Sequence, residues 1–249
     1  MRILYIFPHP DDESFGPAAV MHRQLRSGHE VHLLTWTRGG ATKQRHRLGL
    51  SVDEMGEVRY REMLAVEKTL GLTSMTVWDY PDSGLKELDP RELERATGAY
   101  ILELQPDVIV TYAVHGISGF HDHLVAHAVV KRLFVELREE GATWLQRLAM
   151  LTLRDSGEPV FLEQGIRLKH STDEEIDCEV ALDDADITMM KSCLRCYETY
   201  QQTIEESGVV EKVGRAIPFE FYREHIDPPA EDLFAGLSDA GRTDSESHQ

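Results

Sequence analysis

Four short apolar runs, Arg2–Phe7, Glu30–Trp36, Met75–Asp79 and Asp107–Tyr112, divide the first 130 residues, and helical patterning follows each of them. The helical stretches are Pro17–Ser27, Glu54–Leu70, Pro90–Leu104 and a run from about His123 to Glu139. Strand-length apolar runs alternating with amphipathic helices predict βαβ units and a mostly parallel sheet. The expected class is α/β, a Rossmann-like three-layer fold with helices on both faces and an active site at the C-terminal ends of the strands. No Gly-x-Gly-x-x-Gly follows the first run, which argues against a dinucleotide site.

Beyond residue 143 the rhythm changes. Leu148–Leu153, Glu175–Leu182 and Phe219–Tyr222 read as strands, and Ala185–Glu206 reads as one long helix. The absence of a clean linker predicts a single domain over residues 1–237. Residues 1–142 form its Rossmann-like core and 143–237 an appendage that completes it. Ser238–Gln249 is polar and expected to be disordered.

The formal net charge of −18 argues against a nucleic-acid partner, since phosphates would be repelled. No stretch approaches the roughly 18 consecutive apolar residues of a membrane span. The opening apolar run stops at Pro8 without a small-residue cleavage site, so it reads as a strand and not as a leader. A cytoplasmic protein without stable membrane insertion is expected, with homo-oligomerisation left open. Cys178, Cys193 and Cys196 make no disulfide framework, and the lone Cys193-x-x-Cys196 pair falls in a helical run and reads as core.

Chemistry concentrates at two places. Pro8-His9-Pro10-Asp11-Asp12-Glu13-Ser14 follows the first strand, and two prolines stiffen the turn. A loop capping the next helix would account for one such carboxylate; it would not account for three beside a histidine. The second cluster, His115-Gly116-Ile117-Ser118-Gly119-Phe120-His121-Asp122-His123 with His127 a turn later, follows the Asp107–Tyr112 strand. If the two strands are neighbours, imidazoles and carboxylates from both ends can share a divalent cation.

The His9-Pro10-Asp11-Asp12-Glu13 run, together with the later Gly119-Phe120-His121-Asp122-His123 segment, resembles the PIG-L/LmbE-like N-deacetylase family. That family includes enzymes acting on GlcNAc-phosphatidylinositol and on the GlcNAc-malate and GlcNAc-inositol precursors of bacillithiol and mycothiol. Thr37-Arg38-Gly39-Gly40, Gly56-Glu57-Val58-Arg59, Tyr80-Pro81-Asp82-Ser83-Gly84-Leu85 and Pro106-Asp107-Val108-Ile109-Val110 extend the resemblance over about 130 residues. It implies a hydrolase that removes the N-acetyl group from an N-acetylglucosamine conjugate, a small-molecule amino sugar. It implies Zn2+ held by His9, Asp12 and His123, with Fe2+ or another divalent metal compatible with the same donors. Asp11 becomes the general base, and Ser14, Arg59 and Asp82 become substrate-binding residues. The chain departs from the family at one point. Phe120 stands where the family has a histidine thought to stabilise the oxyanion or protonate the leaving group, so either His121, oriented by Asp122, takes that role or the role is vacant.

The remaining features leave room for other assignments. His127 shares a helix face with His123 and rivals it as a ligand. Lys43, Arg45, His46 and Arg47 in the Gly39–Asp53 loop offer a partner to an anionic aglycone, or form a flap or a plain solvated loop. Two rival functions are a two-His-one-carboxylate Fe(II) oxygenase, which would need a double-stranded β-helix, and a catalytically inactive sugar-binding module.

Overall fold

The computed structural model describes residues 1–155, 157 and 165–238. Seven strands form one sheet. The first five are β1 (Arg2–Phe7), β2 (Glu30–Thr37), β3 (Ser74–Tyr80), β4 (Val108–Tyr112) and β5 (Arg147–Leu151). β6 (Cys178–Ala181) and β7 (Ala216–Phe221) complete it in the order β3-β2-β1-β4-β5-β7-β6. β1 to β5 are mutually parallel; β7 runs antiparallel to both β5 and β6. The α/β expectation is met, and the β-helix required by the oxygenase alternative is not the fold found.

The period-two alternation of β1 decides what packs on each side. Ile3, Tyr5 and Phe7 face a core with Met63 and Val66 of α3 (Val52–Leu70) and residues Ala18 to Met21 of α1 (Pro17–Arg26). Leu4 and Ile6 face the opposite core, with Leu93 and Ile101 of α4 (Pro90–Leu104) and Val130 and Leu133 of α5 (His121–Glu139). All five β1 residues are fully buried, which a central strand covered on both faces requires. α6 (Asp184–Cys196) lies against α1 and α3, so the later part of the chain covers the same face as the first helices.

Three expectations need adjustment. α3 starts at Val52 because Ser51 and Glu54 form a reciprocal capping box, worth roughly 1 kcal/mol. The polar Gly39–Asp53 loop contains a short helix, α2 (Gln44–Leu48), tied down where Gln44 Nε2 donates to Thr203 Oγ1 at 3.0 Å. The long helix expected over Ala185–Glu206 breaks after Cys196. Tyr197 takes φ −84° and ψ 69°, a tight turn covers Glu198–Tyr200, and α7 (Gln201–Ser207) and α8 (Val209–Lys212) follow. No proline or glycine marks that break in the sequence. Cys193 is buried and its thiol is pushed up by burial, in keeping with a core role for the Cys-x-x-Cys pair. No helix of the described residues is long and apolar enough to cross a membrane. The tail expected to be disordered lies, beyond Ser238, outside the described residues.

The topology fixes where a site can form. β1 leads to β2 on one side while β4 pairs with it on the other, so the chain reverses direction across the sheet between β1 and β4. The loops leaving those neighbours diverge around an opening at their C-terminal ends, the usual ligand position in open α/β sheets.

Candidate functional site

The two sequence clusters meet at that opening. His9, Asp12 and His123 each present a donor atom, and those atoms lie within 4.8 Å of one another; the same holds for His9, Asp82 and Asp122. Asp12 Oδ1 lies 3.4 Å from His123 Nε2, and Asp12 Oδ2 lies 3.6 Å from His9 Nδ1.

Hydrogen bonds behind the imidazoles set which nitrogen faces inward. His123 Nδ1 lies 2.9 Å from the Gly116 carbonyl, which only accepts, so Nδ1 carries the hydrogen and Nε2 points at Asp12. His9 Nε2 lies 3.1 Å from Asp122 Oδ2, which likewise leaves Nδ1 toward Asp12. A ring nitrogen held by a carbonyl or carboxylate while its partner points into a donor cluster is the arrangement of a metal-ligating histidine. The Tyr112 ring stacks on His123 at 4.2 Å and 7°, and its hydroxyl donates to Asp12 Oδ1 at 2.7 Å. Gly116 adopts φ +61°, and a Cβ there would fall 2.8 Å from that of His123.

The electrostatics favour a cation. Asp12, Asp82 and Asp122 converge on the two imidazoles, and neither Lys nor Arg pairs with them among the described residues. Burial opposes the ionisation of Asp12, yet His123 and His9 hold it well below the usual carboxylate range. Burial also opposes charge on His9, but its bonds to Asp12 and Asp122 outweigh that and push its pKa to about 10. Buried carboxylates in such excess need a positive partner, and mixed imidazole and carboxylate donors suit Zn2+ or Fe2+.

Asp11 stands beside this cluster with a different set of partners. It is one of few non-glycine residues at positive φ, +84°. Its Oδ2 accepts from Arg59 Nη2 at 2.9 Å, and Arg59 also donates to the Pro10 carbonyl at 2.6 Å. Burial raises the Asp11 pKa to about 6, with Arg59 pulling the other way and Asp12 adding to the rise. A carboxyl near neutrality can both take and return a proton. Gly39, at φ +65°, lies against this pair: a Cβ would come within 2.8 Å of Arg59 Nε and 2.9 Å of Pro10 Cδ.

Not every expected residue faces the opening. Arg59 is 1% exposed and turned toward Asp11, not toward open space. Ser14 is fully buried and donates to Glu13 Oε1. Asp82 does lie at the site, 3.4 Å from His9 Nε2, with its other oxygen accepting from Ala41 N. Asp122 is not positioned to orient His121. Its oxygens face His9 and the Ser83 and Leu85 amides, because the first turn of α5 turns residue 122 inward and leaves His121 exposed. His127 is buried, bonds the Tyr112 carbonyl through Nδ1, and belongs to neither donor group. Tyr112, Tyr197 and Tyr200 carry no mark in the sequence that singles them out. Tyr112 at least ends a predicted strand beside the site, whereas the other two sit inside an apparent helix.

The chain is 33% identical over 152 residues to a 1D-myo-inositol 2-acetamido-2-deoxy-alpha-D-glucopyranoside deacetylase of Thermomonospora curvata, covering 53% of this chain and 51% of that one. The chain thus spans about half the length of the curated relatives it matches. Its fold is similar to that of N,N'-diacetylchitobiose deacetylase from Pyrococcus horikoshii, with a TM-score of 0.65, 17% identity, and coverage of 89% and 83%. It is also similar to 4-carboxy-2-hydroxymuconate hydratase from Pseudomonas putida, with a TM-score of 0.64, 14% identity, and coverage of 90% and 97%. The pattern of the GlcNAc-PI de-N-acetylase family matches residues 4–134, more than half of the 249. On that match, the chain belongs to the PIG-L family of GlcNAc-PI de-N-acetylases.

Proposed function

We propose that this protein is a divalent-metal-dependent amidohydrolase that removes the acetyl group from an N-acetylglucosamine conjugate. The observation that carries the reading is the meeting of His9, Asp12 and His123 beside Asp11, with each imidazole held from behind. These three residues would hold the cation, Zn2+ being the first choice for the donor set. When bound, the cation supplies Lewis acidity toward water and toward the acetyl carbonyl.

The protein's own groups account for the proton movements. Asp11 takes a proton from the attacking water as the new C–O bond forms, then passes it to the amide nitrogen as the C–N bond breaks. Acetate and a free amino sugar result. Arg59 keeps the Asp11 carboxylate aimed while that proton moves. Asp122 fixes the tautomer of His9, and the Gly116 carbonyl fixes that of His123. Asp82, at the edge of the cluster, is the group placed to meet sugar hydroxyls.

The Thermomonospora relative's name makes GlcNAc joined to inositol the first substrate to try, followed by GlcNAc-malate and a chito-oligosaccharide. The fold also occurs in a hydratase, so the fold alone does not choose the reaction. Metal analysis of the purified protein, combined with amine and acetate release from that panel, tests the reading. One divalent cation per chain and stoichiometric acetate are expected. Metal-free protein, or release from none of the conjugates, would refute it, and water addition to an unsaturated acid would place the chain with the hydratase.

A further inference from the structure

Asp11 is held at its backbone as well as at its carboxylate, and both holds lead to one short segment beyond the region that defines the family. Tyr197, the residue at which α6 ends, is fully buried. Its hydroxyl accepts from the Asp11 amide at 2.9 Å and donates to Glu13 Oε1 at 2.7 Å. A phenol has one hydrogen to donate and lone pairs to accept, so these two bonds define its orientation. Glu13 also accepts from Ser14, which fixes the carboxylate that anchors the phenol. Three residues on, the Tyr200 ring lies under the Arg59 guanidinium at 3.7 Å. Arg59 in turn bonds Asp11 Oδ2.

The segment is itself fastened. Thr199 donates to Glu62 of α3 through its amide at 2.7 Å and its hydroxyl at 3.0 Å. Tyr200 donates to Thr42 Oγ1 at 2.5 Å. A continuous helix through residue 206 would carry Tyr197 and Tyr200 along a helical path instead of into this turn, so the break after Cys196 has a local use. The backbone it serves is unusual: a non-glycine residue at φ +84° persists only where its surroundings over-determine it.

We infer that Tyr197 and Tyr200 are positioning residues for Asp11, Tyr197 fixing its strained peptide and Tyr200 fixing the Arg59 side chain that aims its carboxylate. This rests on the proposed reaction for its kinetic readout but not for its structural one. Neither tyrosine belongs to either group of metal donors. Loss of either should therefore lower kcat and leave KM and metal content unchanged.

The test compares wild type, Tyr197→Phe and Tyr200→Leu. Tyr197→Phe removes one oxygen, and Tyr200→Leu removes the ring plate while sparing the Asp11 amide bond. For Tyr197→Phe, kcat should fall roughly 10–100-fold, the scale of a small misplacement of a reacting group. KM should stay within about twofold and one metal per chain should remain. A crystal structure of that variant should show Asp11 leaving the left-handed region. Tyr200→Leu should show a smaller loss of kcat and a displaced Arg59, and it carries the test alone if Tyr197→Phe does not fold. A folded Tyr197→Phe with kcat within about twofold of wild type or with Asp11 still in the left-handed region, or a Tyr200→Leu with Arg59 unmoved, would overturn the inference. If the wild type hydrolyses no N-acetyl conjugate, the proposed function fails, and the Asp11 conformation in the variant still decides this assignment.

Discussion

The inner wall of the site and its outer lip are built to different standards. On the inner wall, His9, Asp12, Asp122 and His123 have partners that fix their orientation, and Tyr112 both stacks on and bonds to the group. At the lip, Phe120 is 45% exposed and His121 is exposed beside it, at the start of α5. The buried hydrogen bonds of this fold are concentrated on the imidazole and carboxylate donors and on Asp11. The side expected to stabilise the oxyanion has been left to solvent. A site with one firm half and one open half should respond unequally to substitution.

The largest effect is expected on the firm half. His9→Ala removes a donor shared by both candidate groups and should abolish metal retention together with turnover, read by metal analysis and acetate release. Asp11→Ala should keep its metal and lose kcat by about 10²–10⁴, the usual contribution of a general acid–base group; substantial activity would refute the base assignment. Asp122→Ala breaks the bond behind His9 and should weaken metal affinity about 10–100-fold, measured by competition with a chelator. The smallest effect belongs to the lip. His121→Ala should change kcat by less than about threefold, whereas a loss near the roughly 10²–10³ of a missing oxyanion donor would mean that the exposed imidazole swings inward during turnover. That last result would erase the contrast between the two halves.

The parts that could be read from sequence share a physical reason. Strands β1, β2 and β4 are buried on both faces, so their sequences are rich in apolar residues on both faces instead of alternating with charged ones. His9 and Asp12 sit directly after β1, and His123 follows the loop that leaves β4, where strand ends bring ligands together. Contacts made across long chain separations left no such trace. Tyr197 lies 186 residues from Asp11, inside a segment with good helical character. Its departure from the helix is driven by a tertiary bond, not by a local breaker. Ser14 and Arg59 carried the right chemistry for a ligand, but burial turned both toward neighbouring residues instead.

The pairing of β1 with β4 has a consequence for how such a protein matures. Ile3 lies opposite Val108 and Tyr5 opposite Val110, and that alignment alone carries His9 and the loop before His123 to the same height. A slip of one position would turn every side chain of the misaligned strand to the other face and pull the donors out of reach of each other. Uptake of the ion should therefore report completed folding. An ion that binds only the finished chain shifts the folding equilibrium toward it, by about 2.7 kcal/mol at a hundredfold excess over its dissociation constant.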